Sequence, residues 1–456
     1  MVFPIVGGQI DVPELDVSNS LRFNDGDDPE LNFTPGSAVT AERKTFTVSC
    51  WVKLGILGST RYIWEMGGAD AATTRFFARF DSNDKLNVND SGTAFRITNR
   101  VFRDPSAWYH IVVAVDTTDG TAGDRIKIYV NGVQETSFGT TNNPSQDDQK
   151  GFSHDSEHTI GRSGIDDTAS FDGYIAEFYA VGASQLEATS FGKNNENGVW
   201  IPIKYSGSYG TNGFKLEFKQ TGTSQNSSGI GADTSGNDNH FSVANLAALD
   251  VTTDTPTNNF CTMNPLGQGG GALAEGNLKE TTDDNAGCPA TFSVSNGKWY
   301  WEVKIEAGSN NLIGIADADY YGLLAASPNN YRIVLYQADG RVFNMGTTAQ
   351  GGDSGRIYDT NDIMGIRLDL DSGTRTIKWY EDDSLIATEN IGASQVLVTP
   401  FSSKGGSSQT CSYNFGNPAF SISSGNADAN GYGNFEYAVP SGHYALCTKN
   451  LAKYGG

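Results

Sequence analysis

Apolar side chains in this chain fall on every second residue, segment after segment, and each segment closes on turn residues, the pattern of strands rather than helices. In 46–53, Phe46, Val48, Cys50 and Val52 share one face and Thr47, Ser49, Trp51 and Lys53 the other, which predicts a half-buried strand. The stretch 108–115 is apolar on nearly both faces, as a central sandwich strand must be. In 125–130, Ile126, Ile128 and Val130 alternate with Arg125, Lys127 and Tyr129, and Asn131-Gly132 supplies the positive φ angles of a tight hairpin turn. Further on, Trp299, Trp301, Val303 and Ile305 alternate with Tyr300, Glu302 and Lys304, and Met364, Ile366, Leu368 and Leu370 with Gly365, Arg367 and Asp369. Helical periodicity is confined to 183–191 and 245–250, each with room for a turn or two.

A chain of 456 residues is too long for one core and suits two. Its 54 Gly against 14 Pro make it turn-rich, while 38% hydrophobic residues supply packed interiors. Gly, Ser and Asn crowd 220–236 and 268–271, which places a connector at 206–280. The expected fold is all-β: a sandwich over 1–205, the connector, a second sandwich over 281–420, and a C-terminal extension, 421–456, packed on the second sandwich.

The balance of 31 Lys+Arg against 53 Asp+Glu gives a net charge of −22, which repels phosphate backbones and anionic membranes, so no nucleic-acid partner is expected. No run of about eighteen apolar residues is present, so no membrane insertion by a helix is expected. The apolar start (Val2, Phe3, Pro4, Ile5, Val6) lacks the basic flank and the length of a signal peptide, so no Sec-type export is expected. Cys50, Cys261, Cys288, Cys411 and Cys447 are odd in number and form no C-x-x-C pair, so they are expected as free, buried thiols.

Six blocks in the first half resemble, in family order, the laminin-G-like members of the concanavalin A-like superfamily: Ser20-Leu-Arg-Phe-Asn-Asp-Gly26, Phe46-Thr-Val-Ser-Cys-Trp-Val-Lys53, Trp108-Tyr-His-Ile-Val-Val-Ala-Val-Asp116, Ile126-Lys-Ile-Tyr-Val-Asn-Gly132, His158-Thr-Ile-Gly-Arg162 and Phe171-Asp-Gly-Tyr-Ile-Ala-Glu-Phe178. The second half resembles a SPRY domain through Trp299-Tyr-Trp-Glu-Val-Lys-Ile305, Ile313-Gly-Ile-Ala316, Asp362-Ile-Met-Gly-Ile-Arg-Leu-Asp-Leu-Asp371, Ile377-Lys-Trp-Tyr380 and Tyr413-Asn-Phe-Gly416. Both resemblances imply concanavalin A-like jelly-roll β-sandwich domains. Their pairing, with Val199-Trp-Ile-Pro202, Tyr205-Ser-Gly-Ser-Tyr-Gly-Thr-Asn-Gly-Phe214 and Asp254-Thr-Pro-Thr-Asn-Asn-Phe-Cys-Thr-Met-Asn-Pro-Leu266, is similar to virion proteins of marine tailed bacteriophages. That likeness implies a virion-surface protein assembled in the host cytoplasm.

No matched motif is catalytic. A glycosidase needs two carboxylates roughly 5 to 9.5 Å apart. Glu302 and Glu306, four strand residues apart, stand at roughly 13 Å, whereas Asp369 and Asp371, or Asp317 and Asp319, stand at roughly 6.6 Å. Yet Asp371 opens a turn and Asp369 points outward, which leaves a glycan depolymerase as the disfavoured rival. His154 and His158 have zinc-like spacing, but residues four apart meet only on a helix, and a surface loop is expected here. Asp25, Asp27 and Asp28 form a hard-oxygen cluster suited to calcium, the alternative being a solvated turn; no other cofactor is expected.

Sugar recognition calls for aromatic faces beside hydroxyl-bonding groups on rim loops. Asp317, Asp319, Tyr320, Tyr321, Tyr358 and Asp359 are the candidates in the second half; Arg61, Tyr62, Trp64 and Arg75 are alternatives in the first, with Trp64 the one best suited to a core. The expectation is a non-catalytic tail-fibre or adhesive tail component, or alternatively a head decoration protein. Its partners would be host surface carbohydrate and other virion proteins, engaged as a homo-oligomer, a trimer above all.

Overall fold

A computed structural model describes residues 14–68, 75–165, 169–282, 287–308, 311–318, 320, 333–338, 340–344, 358–392, 395–404 and 409–455. The chain is 44% strand and 6% helix, as the period-two alternation requires.

The first sandwich packs two eight-stranded sheets. One runs Val133–Gln134, Ile126–Val130, Trp108–Asp116, Thr45–Leu54, Gly173–Gly182, Ser20–Phe23, Val251–Thr252, with Phe214–Leu216 also paired to Gly173–Gly182. The other runs Phe138–Thr141, Ala94–Val101, Lys85–Asp90, Phe76–Phe80, Arg61–Met66, His158–Ile160, Glu30–Phe33, Ser242–Ala244. Between them lie the inward residues of both, among them Phe46, Val48, Trp64, Phe76, Val113 and Ile175. Asn131 at φ 48° and Gly132 at φ 81° make the expected hairpin turn.

In the second sandwich, the central strand Lys298–Ala307 is flanked by Ile363–Asp369 and Gln409–Asn414, and the sheet extends through Thr376–Glu381 to Ser384–Asn390. Its partner sheet runs Gly287–Pro289, Val398–Lys404, Asn311–Asp317, Ile333–Gln337, Val342–Asn344. Trp299, Trp301, Tyr336, Ile366 and Trp379 lie in the core between them.

Three features depart from expectation. The strand Thr45–Leu54 is buried on both faces, not one, because 14–17, 186–209 and 254–260 cover its outer side. The segment 206–280 adds strands to both sandwiches: Phe214–Leu216, Ser242–Ala244 and Val251–Thr252 to the first, Ala272–Ala274 to the second. Two short helices, Thr40–Lys44 and Thr448–Tyr454, stand where no helical period was read, while 183–191 and 245–250 hold the single 3-10 turns Ala188–Ser190 and Ala248–Asp250. All five cysteines are free and buried.

Candidate functional site

The site begins with a cross-strand pair. Trp51 and His110 lie opposite each other on neighbouring strands with side chains on the outer face, and their rings stack at 4.8 Å and 25°. Trp200, on the short strand Trp200–Pro202, covers His110 from the other side at 6.0 Å and 25°. The Trp200 indole N–H donates to His110 Nδ1 at 3.0 Å. Because indole only donates, the imidazole proton is on Nε2, which donates to Ser49 Oγ at 2.8 Å. Burial pushes the His110 pKa down to about 3, so this ring is neutral at physiological pH.

Glycines admit the Trp200 ring. A Cβ at Gly132 or Gly192 would come within 2.4 or 2.5 Å of its carbons, and Gly132 also has a positive φ of 81° that suits glycine. Trp108 is anchored separately: its Nε1 donates to Asp254 Oδ1 at 3.1 Å, and Asp254 Oδ2 pairs with Lys53 Nζ at 2.7 Å. Lys53 also donates to Asn259 Oδ1 (2.7 Å) and the Phe260 carbonyl (2.9 Å), so one buried ammonium ties the sheet to the crossing chain.

Above these anchors runs a groove of about 680 Å³, bounded by Trp51, Trp108 and Trp200, by the hairpin at Asn131 and Val133, and across from them by Pro256, Asn259 and Thr448. Trp51 and Trp108 are nearly enclosed, Trp200 is partly exposed, and Val133 and Val199 are 63% and 56% exposed on the rim. Among the described residues no charged side chain lines it. Its size and its mix of aromatic face, apolar rim and amide groups suit a neutral ligand with one apolar face and peripheral hydroxyls.

The residues singled out from sequence lie elsewhere. Tyr320 is buried against Phe401, and Tyr358 is buried against Tyr336 with its hydroxyl on the Asn311 carbonyl, so neither ring offers the open face expected of a rim aromatic. Tyr358 hangs on the first residue of Asn311–Asp317 and Tyr320 follows its last, roughly 20 Å apart at about 3.3 Å per residue. Asp317 is partly exposed at that strand's end and Asp359 is exposed; Asp319 and Tyr321 lie outside the described residues. In the first half Trp64 is in the core, Arg61 is buried on Asp84 at 2.8 Å, and Arg75 binds the Tyr62 hydroxyl and Glu65.

Asp25, Asp27 and Asp28 do not converge. Asp27 accepts from Asn24 at 2.8 Å, while Asp28, in the left-handed conformation just past the 3-10 turn, accepts from Ser170 at 3.2 Å. Among the described residues no group of three His, Cys, Asp or Glu is placed to hold a metal. His158 is not on a surface loop but buried in His158–Ile160, its Nδ1 facing the Gly67 amide and burial pushing its pKa down to about 4. Asp369 caps the turn amides of Asp371 and Ser372, and Asp371 receives the Gly297 amide at 2.7 Å.

The groove tryptophans were visible in the sequence only as family-like blocks. The usable signal was Trp51 on the polar face of an alternating strand, with His110 and Trp200 completing the stack.

A family model described as the concanavalin A-like lectin/glucanases superfamily matches residues 25–184, and the SPRY domain model matches 298–418. No curated protein matches the chain. Among solved structures, the SPRY domain of human HERC1 is 14% identical, covering 33% of this chain and 96% of its own, with a TM-score of 0.28. The TRIM65 PSpry domain is 16% identical (34% and 89% covered, TM-score 0.28). A heptameric SAP-like pentraxin from Limulus polyphemus is 17% identical (38% and 79% covered, TM-score 0.27). The chain carries a laminin-G-type concanavalin A-like domain followed by a SPRY domain.

Proposed function

We propose that this chain is a non-catalytic adhesion protein whose tryptophan groove binds a neutral saccharide, carried on the surface of a tailed-phage virion. A carbohydrate- or protein-binding module is what the two domain families support. The observation that carries the finer reading is the uncharged groove with its three tryptophans on a chain of net charge −22. Acidic ligands would meet no counter-charge there and a repulsive field around it. The virion location rests on the resemblance of the connector phrases to phage proteins. Single sites of this kind bind in the millimolar to micromolar range, so attachment would use repeated copies, a trimer being the expected unit.

A glycan array probed with the labelled full chain should light on neutral glycans and fade with Trp200→Ala; binding confined to acidic glycans would refute the groove reading. Antibody labelling of intact particles tests the location, and light scattering on the purified chain tests the oligomer.

A further inference from the structure

The outer face of the second sandwich carries an arrangement that the groove does not explain. Arg367 on Ile363–Asp369 and Lys378 on Thr376–Glu381 are direct cross-strand partners, both facing outward. Like charges in that relation repel, and a chain with an excess of acidic residues has little reason to place them so. Arg367 lies flat over the Tyr380 ring at 3.5 Å and is neutralised by Asp383 at 2.9 Å. One row along, Lys298 pairs with Asp369 at 2.8 Å. Hydrogen bonds from Lys298 and Ser372 outweigh partial burial and hold the Asp369 carboxyl down at about 2. Lys378 has no acidic partner among the described residues, which leaves one uncompensated positive charge.

That charge borders a cavity of about 130 Å³ lined by Arg367, Thr376 and Tyr380 of the sheet, by Pro440 and His443 of the C-terminal segment, and by Asp369, whose carboxylate is offset by Lys298. His443 Nδ1 is buried there without a hydrogen-bond partner among the described residues. The space admits one small group rather than a whole sugar residue or peptide segment.

We propose that this cavity binds a single oxyanion, a carboxylate or sulfate, with Lys378 as its counter-ion, Arg367 as the stiff second cation and Thr376 as a hydroxyl donor. The bound anion would offset the Lys378 charge that no acidic side chain among the described residues meets. Asp383 holds one Arg367 nitrogen, Nη2, at 2.9 Å and offsets its charge, so Lys378 is the main counter-ion and recognition is by charge and size. This site shares no lining residue with the groove, and neither depends on the other.

Equilibrium dialysis of the full chain at low ionic strength, against labelled glucuronate and separately against labelled sulfate, tests it. One saturable site per chain with Kd near or below about 10 mM is expected, with glucose showing none at this site. Lys378→Gln should weaken binding about tenfold, and Lys127→Gln, on the first sandwich, should leave it unchanged. Glucuronate binding without sulfate would narrow the ligand to a carboxylate, and binding of both would assign the oxyanion as such. Non-saturable uptake of both, retention in Lys378→Gln, or equal loss in both variants would overturn the proposal.

Discussion

Asp254, packed on the first sandwich, and Glu280, in the second, are both wholly enclosed carboxylates, yet they are held by partners of different kinds. Asp254 has an ammonium against it, Lys53 at 2.7 Å, along with the Trp108 indole and the Phe260 amide. Glu280 bridges the two sheets with neutral partners only, the hydroxyls of Ser402 and Tyr413, both on Oε2, and its Oε1 has no partner among the described residues. Burial therefore pushes the Glu280 carboxyl up to about 7, the two hydroxyls pulling back only in part. Burial pushes the Asp254 carboxyl up as well, but where the chain crosses the sheet the Lys53 ammonium, the Trp108 indole and the Phe260 amide all pull it back. Where a carboxyl merely joins two sheets, the fold accommodates it closer to its neutral form.

The largest effect should come from breaking the charged member of this pair. Lys53→Met leaves Asp254 buried without its cation, and stability measured by urea unfolding should fall by about 3–5 kcal/mol. A loss below about 1 kcal/mol would mean that the crossing segment is held mainly by its apolar contacts, and the contrast would fail.

Glu280 predicts a pH effect. Its pKa in the fold, about 7, lies above its ordinary 4.5, so the folded state holds the proton more tightly than the unfolded state. Its contribution is most favourable below pH 4.5 and is lost as pH rises towards about 7, at most about 3 kcal/mol in all. Glu280→Gln should remove that slope, matching the wild type near pH 4.5 and exceeding it in melting temperature at pH 8. Asp172, raised to about 7 by burial and by Asp25, supplies a second slope in the same window, which the variant should keep. A variant as pH-dependent as the wild type would show that Glu280 ionises freely.

The smallest of these changes probes the groove wall. Gly132→Ala places a methyl against the Trp200 ring at a positive φ, and should cost about 1–3 kcal/mol while displacing the ring. Gly198→Ala, at a positive φ but with open space around it, should cost less and leave Trp200 in place.

The strands, the Asn131-Gly132 turn and the two-domain order were legible because period two and turn chemistry are local properties. The groove was not, because it depends on chain arriving from far away. Nothing in 46–53 shows that Lys53 will meet Asp254, or that residues near 200 will lie over His110. Without that cover, Trp51 reads as an ordinary outward residue. Tyr320 and Tyr358 misled for the converse reason: Asp and Tyr beside turn residues look like a rim, but their rings fold into the apolar clusters around Phe401 and Tyr336. Asp25, Asp27 and Asp28 have a metal-like composition, while Asp27 and Asp28 are bound to different partners, Asn24 and Ser170.

Of the seven tryptophans, Trp64, Trp299, Trp301 and Trp379 are sealed in the two cores, and Trp51, Trp108 and Trp200 line the groove. Intrinsic fluorescence therefore reports on the groove. Titration of the full chain with neutral oligosaccharides of glucose, galactose, mannose and N-acetylglucosamine should give a saturable shift for at least one of them, with Kd between about 10 μM and a few millimolar, lost in Trp200→Ala. No shift from any of them, or a shift that survives Trp200→Ala unchanged, would contradict the assignment of the groove as a saccharide site.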